Sequence, residues 1–328
     1  MGFTTATILA DSRTKTGDRI ITYRIKFPRI IEAEILRHRM FSYSAASSRA
    51  RNLEKHLQDT IEELYVPSPF TKDQKGMSAR EVLQPLYDNL ADHVWKECFD
   101  KVVETVETLG RYNVHKQHAS RLLQPFEYQE MIMTGTEWWN FFNLRCPKYR
   151  YKGQTFFSKK DLLAWYPEFD GDFNLINEST AQPEIQELVE MMYTAYHESS
   201  PLTLEEGEWH IPLEPGYSSL RSFLDPENVK KEFELDYDTI CRKVACARIA
   251  RISYLNESND YQKDIDLFDK LVKMKHWSPL EHVCRVMDED EYAAFYRNRP
   301  GECEYGWCDN YRGFISLRYS VENGTYRR

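Results

Sequence analysis

Residues 20–27 alternate strictly. Ile21, Tyr23, Ile25 and Phe27 fall on one face, and Thr22, Arg24 and Lys26 on the other. A period of two predicts a half-buried strand. Pro28 then stands where a helix can begin, and Ile30, Ile31, Ile35 and Leu36 follow at helical spacing. Strand, tight turn and helix thus deliver Arg37-His38-Arg39 at a helix C-terminal end. Residues 42–48 are small and polar, which predicts a loop.

The rest of the chain alternates less regularly. Residues 78–110 carry apolar positions such as Leu86, Leu90, Val94, Phe99 and Val106, which predict one or two amphipathic helices. Residues 114–123 read as a short helix ending before Pro125, 127–133 as a strand and 137–145 as a helix rich in aromatics. Residues 149–178 read as an irregular insertion, 183–197 as a helix and 201–226 as a long loop rich in Pro, Gly and Glu. Two more helices are expected at 236–251 and 261–275, and strands at 283–287 and 313–320. Strands and helices do not alternate as in a doubly wound sheet, so a mixed α and β fold is expected. Its 328 residues suit one large domain or two small ones.

Bulk properties narrow the function. A net charge of −9 argues against non-specific nucleic-acid binding, though not against a local basic pocket. Seven irregularly spaced cysteines do not read as a disulfide framework, which points to a reducing cytoplasm. No apolar run is long enough to span a membrane.

The densest chemistry lies in Arg37, His38 and Arg39 with Ser42, Ser44, Ser47, Ser48, Arg49 and Arg51. Guanidinium groups and hydroxyls on a helix end and loop suit an anion cradle. A solvated basic face at a helix C-terminus is the plainer explanation. The pattern Arg-His-Arg-x-x-Ser-x-x-x-x-Ser-x-Arg resembles the signature of flavin-dependent thymidylate synthases, with Ser44 standing where that family has Asn. Further blocks are similar to the same family: Arg121 with Leu122, Leu123 and Pro125; Asn140-Phe141 followed by Leu144-Arg145; Ala181-Gln182 with Glu184-Ile185; and Ala247-Arg248 with Ser253-Tyr254. The stretch His276-Trp277-Ser278-Pro279-Leu280-Glu281-His282 offers two histidines and a glutamate, but Pro279 and the spacing do not suit a metal. It resembles the family's His-x-Ser/Thr-Pro-Phe-Glu-His segment. In the family that segment precedes the arginine signature, so this chain looks permuted and enlarged.

The resemblance implies an α+β fold: a twisted, mostly antiparallel sheet packed with long helices, as one domain spanning residues 1–328. It implies a homotetramer with sites shared between subunits. It implies methylation of dUMP to dTMP, with FAD, methylenetetrahydrofolate as one-carbon donor and NADPH as reductant. Arg145 would contact the uracil and serve catalysis. Arg37, His38, Arg39, Asn140, His276, Ser278 and Glu281 would hold the flavin. Glu34, Ser47, Ser48, Arg49 and Arg121 would join Arg145 in holding the nucleotide. Three departures stand out: Ser44 for Asn, Ala45 for a frequent Glu, and Glu34 for a usual Gln. A carboxylate at residue 34 can accept from an exocyclic amine, so dCMP as substrate, or hydroxymethylation, is an alternative. A catalytically inactive flavin- or nucleotide-binding homologue is another, and a nucleic-acid-binding module using residues 37–51 a third.

Overall fold

The computed structural model describes residues 3–75, 81–214, 237–255, 260–299 and 302–325. The alternating segment forms the middle of a sheet. β1 (Thr5–Thr14) and β2 (Arg19–Pro28) make an antiparallel hairpin, β3 (Phe41–Ala45) lies at an edge, and β4 (Tyr128–Gly135) pairs antiparallel with both β2 and β3. The hairpin turn is closed by Thr14 N–H donating to Asp18 O at 2.8 Å, with Gly17 at φ +102°.

One face of this sheet carries Ile21, Tyr23, Ile25, Phe27, Phe41, Met131 and Met133 into a core. That core is completed by α1 (Glu32–Leu36), α5 (Trp139–Arg145) and α8 (Pro183–Glu198), through Ile35, Phe141, Phe142, Ile185, Leu188 and Met192. The opposite face is covered too. Ile132 packs with Ala245, Cys246 and Ile249 of α9 (Tyr237–Arg251), Phe268 of α10 (Tyr261–Lys273), and Leu280, Val283 and Leu317. The half-buried expectation for residues 20–27 therefore holds only toward Arg24 and Lys26, which pair with Glu130 and Glu63. At Thr22 both faces are closed. Double coverage also explains why residues 131–135 are buried without alternation.

Between β3 and β4 the chain runs through α2 (Leu53–Glu62), α3 (Pro85–Arg111) and α4 (Lys116–Ala119). α3 is one long helix. It buries Phe99 and Val106 against Leu123 and Phe126, while Leu86, Leu90 and Val94 of the expected apolar stripe are exposed. Ser78, where that helical stretch was expected to begin, lies outside the described residues. A 3-10 segment, Ser120–Phe126, follows α4 and carries Pro125 inside it, so the helical stretch does not stop at the proline.

Residues 149–178 are less irregular than their sequence suggests. The hairpin β5 (Tyr149–Tyr151) and β6 (Gln154–Phe156) turns on Lys152 and Gly153 at positive φ, and α6 (Lys159–Trp165) and α7 (Phe173–Ile176) fold back on it. Tyr149, Phe156 and Leu162 form a small core with Tyr151, Tyr166, Phe169 and Phe173. The excursion closes on itself, because Glu178 N–H donates to Lys148 O at 2.9 Å.

The long loop expected at 201–226 begins instead with two strands. β7 (Leu202–Leu204) adds in parallel to β1, and β8 (Trp209–His210) pairs with β9 (Cys284–Val286). Residues 215–236 lie outside the described set, as does Asp236 at the expected start of α9. α11 (Glu289–Ala294) precedes two short hairpins, β10 (Tyr296–Arg299) with β11 (Glu302–Tyr305) and β12 (Trp307–Cys308) with β13 (Tyr311–Arg312). The strand expected at 313–320 splits. β14 (Phe314–Ser316) pairs with β9, then Ser316 caps α12 (Leu317–Glu322) by accepting from Tyr319 N–H at 3.1 Å. The fold is α+β with a mainly antiparallel central sheet, as expected. No helix among the described residues is long and apolar enough to cross a membrane.

Candidate active site

α1 is short, and its end is fixed by a tyrosine. Tyr43 Oη shares its one proton between His38 O at 2.7 Å and Ile35 O at 2.9 Å, and Ile35 O also accepts from His38 N–H at 3.1 Å. That staple presents Arg37, His38 and Arg39 along one wall of a cleft of about 550 Å³, continued by Met40 and Phe41. α5 builds the other wall. Phe141 and Arg145 lie four residues apart on α5, as do Asn140 and Leu144, and Glu137 joins them from just before the helix. The aromatic residues Trp138, Phe141 and Phe142 anchor α5 in the core.

Within the cleft Arg145 Nε donates to His38 Nε2 at 2.9 Å. Burial, reinforced by the Arg145 charge, lowers the His38 pKa to about 4. Burial also lowers the Arg145 pKa, with Glu34 opposing and Arg37 adding to the effect. Glu34 lies 3.8 Å from Arg37. Thus Arg37, His38, Arg39, Asn140 and Arg145 line one cleft, and Glu34 stands beside it through Arg37.

The remaining expected residues do not line this cleft. At the far end of β3 the backbone leaves the sheet: Ala46 N–H donates to Glu130 O at 2.8 Å and Ser47 N–H to Ser253 O at 3.1 Å. Ser48 is buried there and Arg49 is exposed. Residues 42–45, expected in a loop, are strand, and only 46–48 lie beyond it. Arg121 is exposed on the 3-10 segment. Arg51 is held by Asp59, whereas Arg39, Arg49 and Arg121 have no ion-pair partner among the described residues.

The stretch from His276 packs against β3 as a 3-10 turn, Ser278–His282, anchored by buried Pro279, Leu280 and His282. His276 and Ser278 are exposed at its surface. The Glu281 carboxylate is taken by Arg318, and its carbonyl accepts from Tyr311 Oη at 2.9 Å.

His282 opens a feature the sequence did not announce. Its Nε2 meets Ser44 Oγ at 3.0 Å and its Nδ1 meets Thr134 Oγ1 at 2.8 Å. Thr134 meets Thr22 at 2.7 Å, Thr22 meets His210 Nε2 at 2.9 Å, and His210 Nδ1 meets Ser12 Oγ at 2.9 Å. Burial lowers the pKa of both histidines to about 3, so both rings are neutral. The chain joins β3 to β1 through the sheet interior, and it explains why Ser44 can stand in the signature. Of its members only Ser44 and His282 lay in motifs. Thr22, Thr134, His210 and Ser12 carried no sequence signal.

A cleft walled by guanidinium groups beside an uncharged imidazole can hold an anionic ligand. Residues 19–202, more than half of the chain, match the family described as thymidylate synthase complementing protein. The chain belongs to that family and is an enzyme of the thymidylate synthase methyltransferase type. No curated protein matches it. Among solved structures, a UMP/dUMP methylase PolB from Streptomyces cacaoi bound with 5-Br UMP is 15% identical, over 62% of this chain and 91% of that one, with a TM-score of 0.45. The same methylase bound with 5-Br dUMP is 18% identical, over 56% and 67%, with a TM-score of 0.39.

Proposed function

We propose that the enzyme methylates dUMP to dTMP, taking the one-carbon unit from methylenetetrahydrofolate and using FAD with NADPH as reductant. The observation that carries this reading is the cleft itself, where Arg145 faces the signature residues Arg37 and Arg39 across about 550 Å³. Bound FAD would supply the reducing equivalents that complete the methyl group. Its anionic pyrophosphate suits Arg39, which has no carboxylate partner among the described residues, and Arg37 and Asn140 beside it. Arg145 would stabilise negative charge on the uracil ring, and its fixed guanidinium costs little to reorganise. The cysteines need no part in attack on the ring. Burial raises the thiol pKa values of Cys146, Cys241, Cys246, Cys284 and Cys308, which leaves those thiols poor nucleophiles.

Arg49, Arg121, Ser47, Ser48 and Glu34 are assigned to the nucleotide, and His276, Ser278 and Glu281 to the flavin. Several of these lie outside the cleft in one chain, so a homotetramer would complete each site from a second copy. Residues 1–328 then form one domain, in which 149–178 is an insertion.

Glu34 carries a second reading. It stands beside the cleft, 3.8 Å from Arg37, and a carboxylate there can accept from the amine of dCMP. Purified protein reconstituted with FAD, reduced, and given labelled methylenetetrahydrofolate with dUMP or dCMP separates the two. Label entering dUMP supports the main reading, and label entering only dCMP overturns it. Colourless protein that cannot take up FAD would point to an inactive homologue.

A further inference from the structure

The resemblance assigns His38 to the flavin together with Arg37 and Arg39, and in this chain its Nε2 already has a partner. Arg145 Nε can only donate, and it lies 2.9 Å from His38 Nε2. Nε2 is therefore the acceptor, and the ring proton sits on Nδ1. The ring is wedged edge-on against Phe141, with centroids 4.8 Å apart, and its backbone carbonyl is held by Tyr43 Oη at 2.7 Å. Arg145 is thus tethered through Nε. Among the described residues nothing accepts from its Nη atoms, which form the two-donor edge that matches planar acceptors.

We propose that His38 is a positioning residue. As a neutral acceptor for Arg145 Nε, it turns the two-nitrogen edge of that guanidinium toward the cleft, where it grips the acceptor edge of a pyrimidine. This rests on the nucleotide chemistry proposed above. A protonated His38 would lose its acceptor and set a second cation against Arg145. Arg145 is the charge that bears on the ring; Arg37 and Arg39 share its wall of the cleft, Glu34 stands beside Arg37, and Glu137 is on the other wall. Burial and Arg145 hold the ring neutral down to about pH 4.

The test combines nitrogen NMR of the His38 ring with calorimetric titration of dUMP into the FAD-loaded protein. The variants are His38→Leu, His38→Gln, Arg145→Lys and the double variant His38→Leu/Arg145→Lys. The ring should carry its proton on Nδ1 and stay neutral from pH 8 to pH 5. His38→Leu should weaken dUMP binding about tenfold or more, because the tether is a hydrogen bond to a charged group. His38→Gln, whose amide oxygen can accept, should recover to within about threefold, and His38→Leu should add nothing once Arg145 is Lys. A ring titrating near 6.5, or equal losses for the Leu and Gln variants, overturns the inference. A wild type that binds neither dUMP nor dCMP overturns the functional reading instead, and the ring titration then decides alone whether His38 holds Arg145. If His38→Leu fails to fold, the wild-type ring and the Gln variant decide it.

Discussion

Lowering the pH should weaken this fold through two buried histidines. His210 and His282 are fully buried, and each has its pKa lowered from 6.5 to about 3. In the unfolded chain both rings take up protons as pH falls through about 6.5, while in the folded chain they do so only near 3. Over that window the unfolded state binds more protons, so stability is greatest above about 6.5 and is lost as pH falls. At pH 5 the loss is about 2 kcal/mol for each ring, or about 4 kcal/mol for the pair. Urea unfolding at pH 7.5 and pH 5, followed by circular dichroism, measures it. Other titrating groups add their own slopes, so the decisive comparison is with His282→Gln, which keeps a donor and an acceptor but does not titrate. Its loss between the two pH values should be smaller than that of the wild type by about 2 kcal/mol. Equal losses in the two proteins would refute the claim that His282 is held neutral by burial.

Thr134→Val keeps the shape of a β-branched side chain but strips the hydroxyl from between His282 and Thr22. It should cost about 1–3 kcal/mol in urea unfolding, because buried partners lose their hydrogen bonds. Gly135→Ala would drive a methyl into the ring of Phe41 and push β3 from β4; weaker FAD binding and a lower thermal midpoint are expected, read from flavin absorbance and calorimetry. Arg145→Lys should lower kcat/KM for the methylated nucleotide by about 100-fold, since Lys offers a point charge in place of the planar fork. Tyr43→Phe removes the hydroxyl that bridges the carbonyls of Ile35 and His38 and should raise the KM for dUMP while the fold melts within a few degrees of wild type.

The parts of the fold legible in the sequence were those where one physical rule acts alone. β2, α5 and α8 each bury a clean periodic face, and all three appear where expected. β3 was read as loop because Ser42 and Ser44 are polar; at Ser44 a distant histidine supplies the missing partner. β1 passed unnoticed because the register shifts between Ile8 and Ala10, which breaks its alternation. β7 and β8 are too short to show a period, and β7 exists only because β1 offers it an edge. At the site, the arginine signature and the block from Asn140 to Arg145 pointed to residues that the fold brings to one cleft. That Arg49, Arg121 and Ser278 stand away from it depends on the path of the chain after β3, which no local pattern encodes. His38 shows the same limit: its motif implied a flavin contact, and only the fold shows the hydrogen bond that its Nε2 accepts from Arg145.

The path from Ser44 to Ser12 has a property that belongs to no single residue in it. It contains five links and four interior members, His282, Thr134, Thr22 and His210. A neutral imidazole or a hydroxyl gives away one proton, so the interior supplies four of the five. The fifth comes from one end, either Ser44 or Ser12, and that choice fixes the direction of every other donor. The sheet therefore holds two proton orders, mirror images of each other, and with every link kept no mixture of them is possible. Whatever claims the Ser44 proton at β3 also switches both histidine tautomers, and the hydroxyl that feels it last is Ser12 on β1.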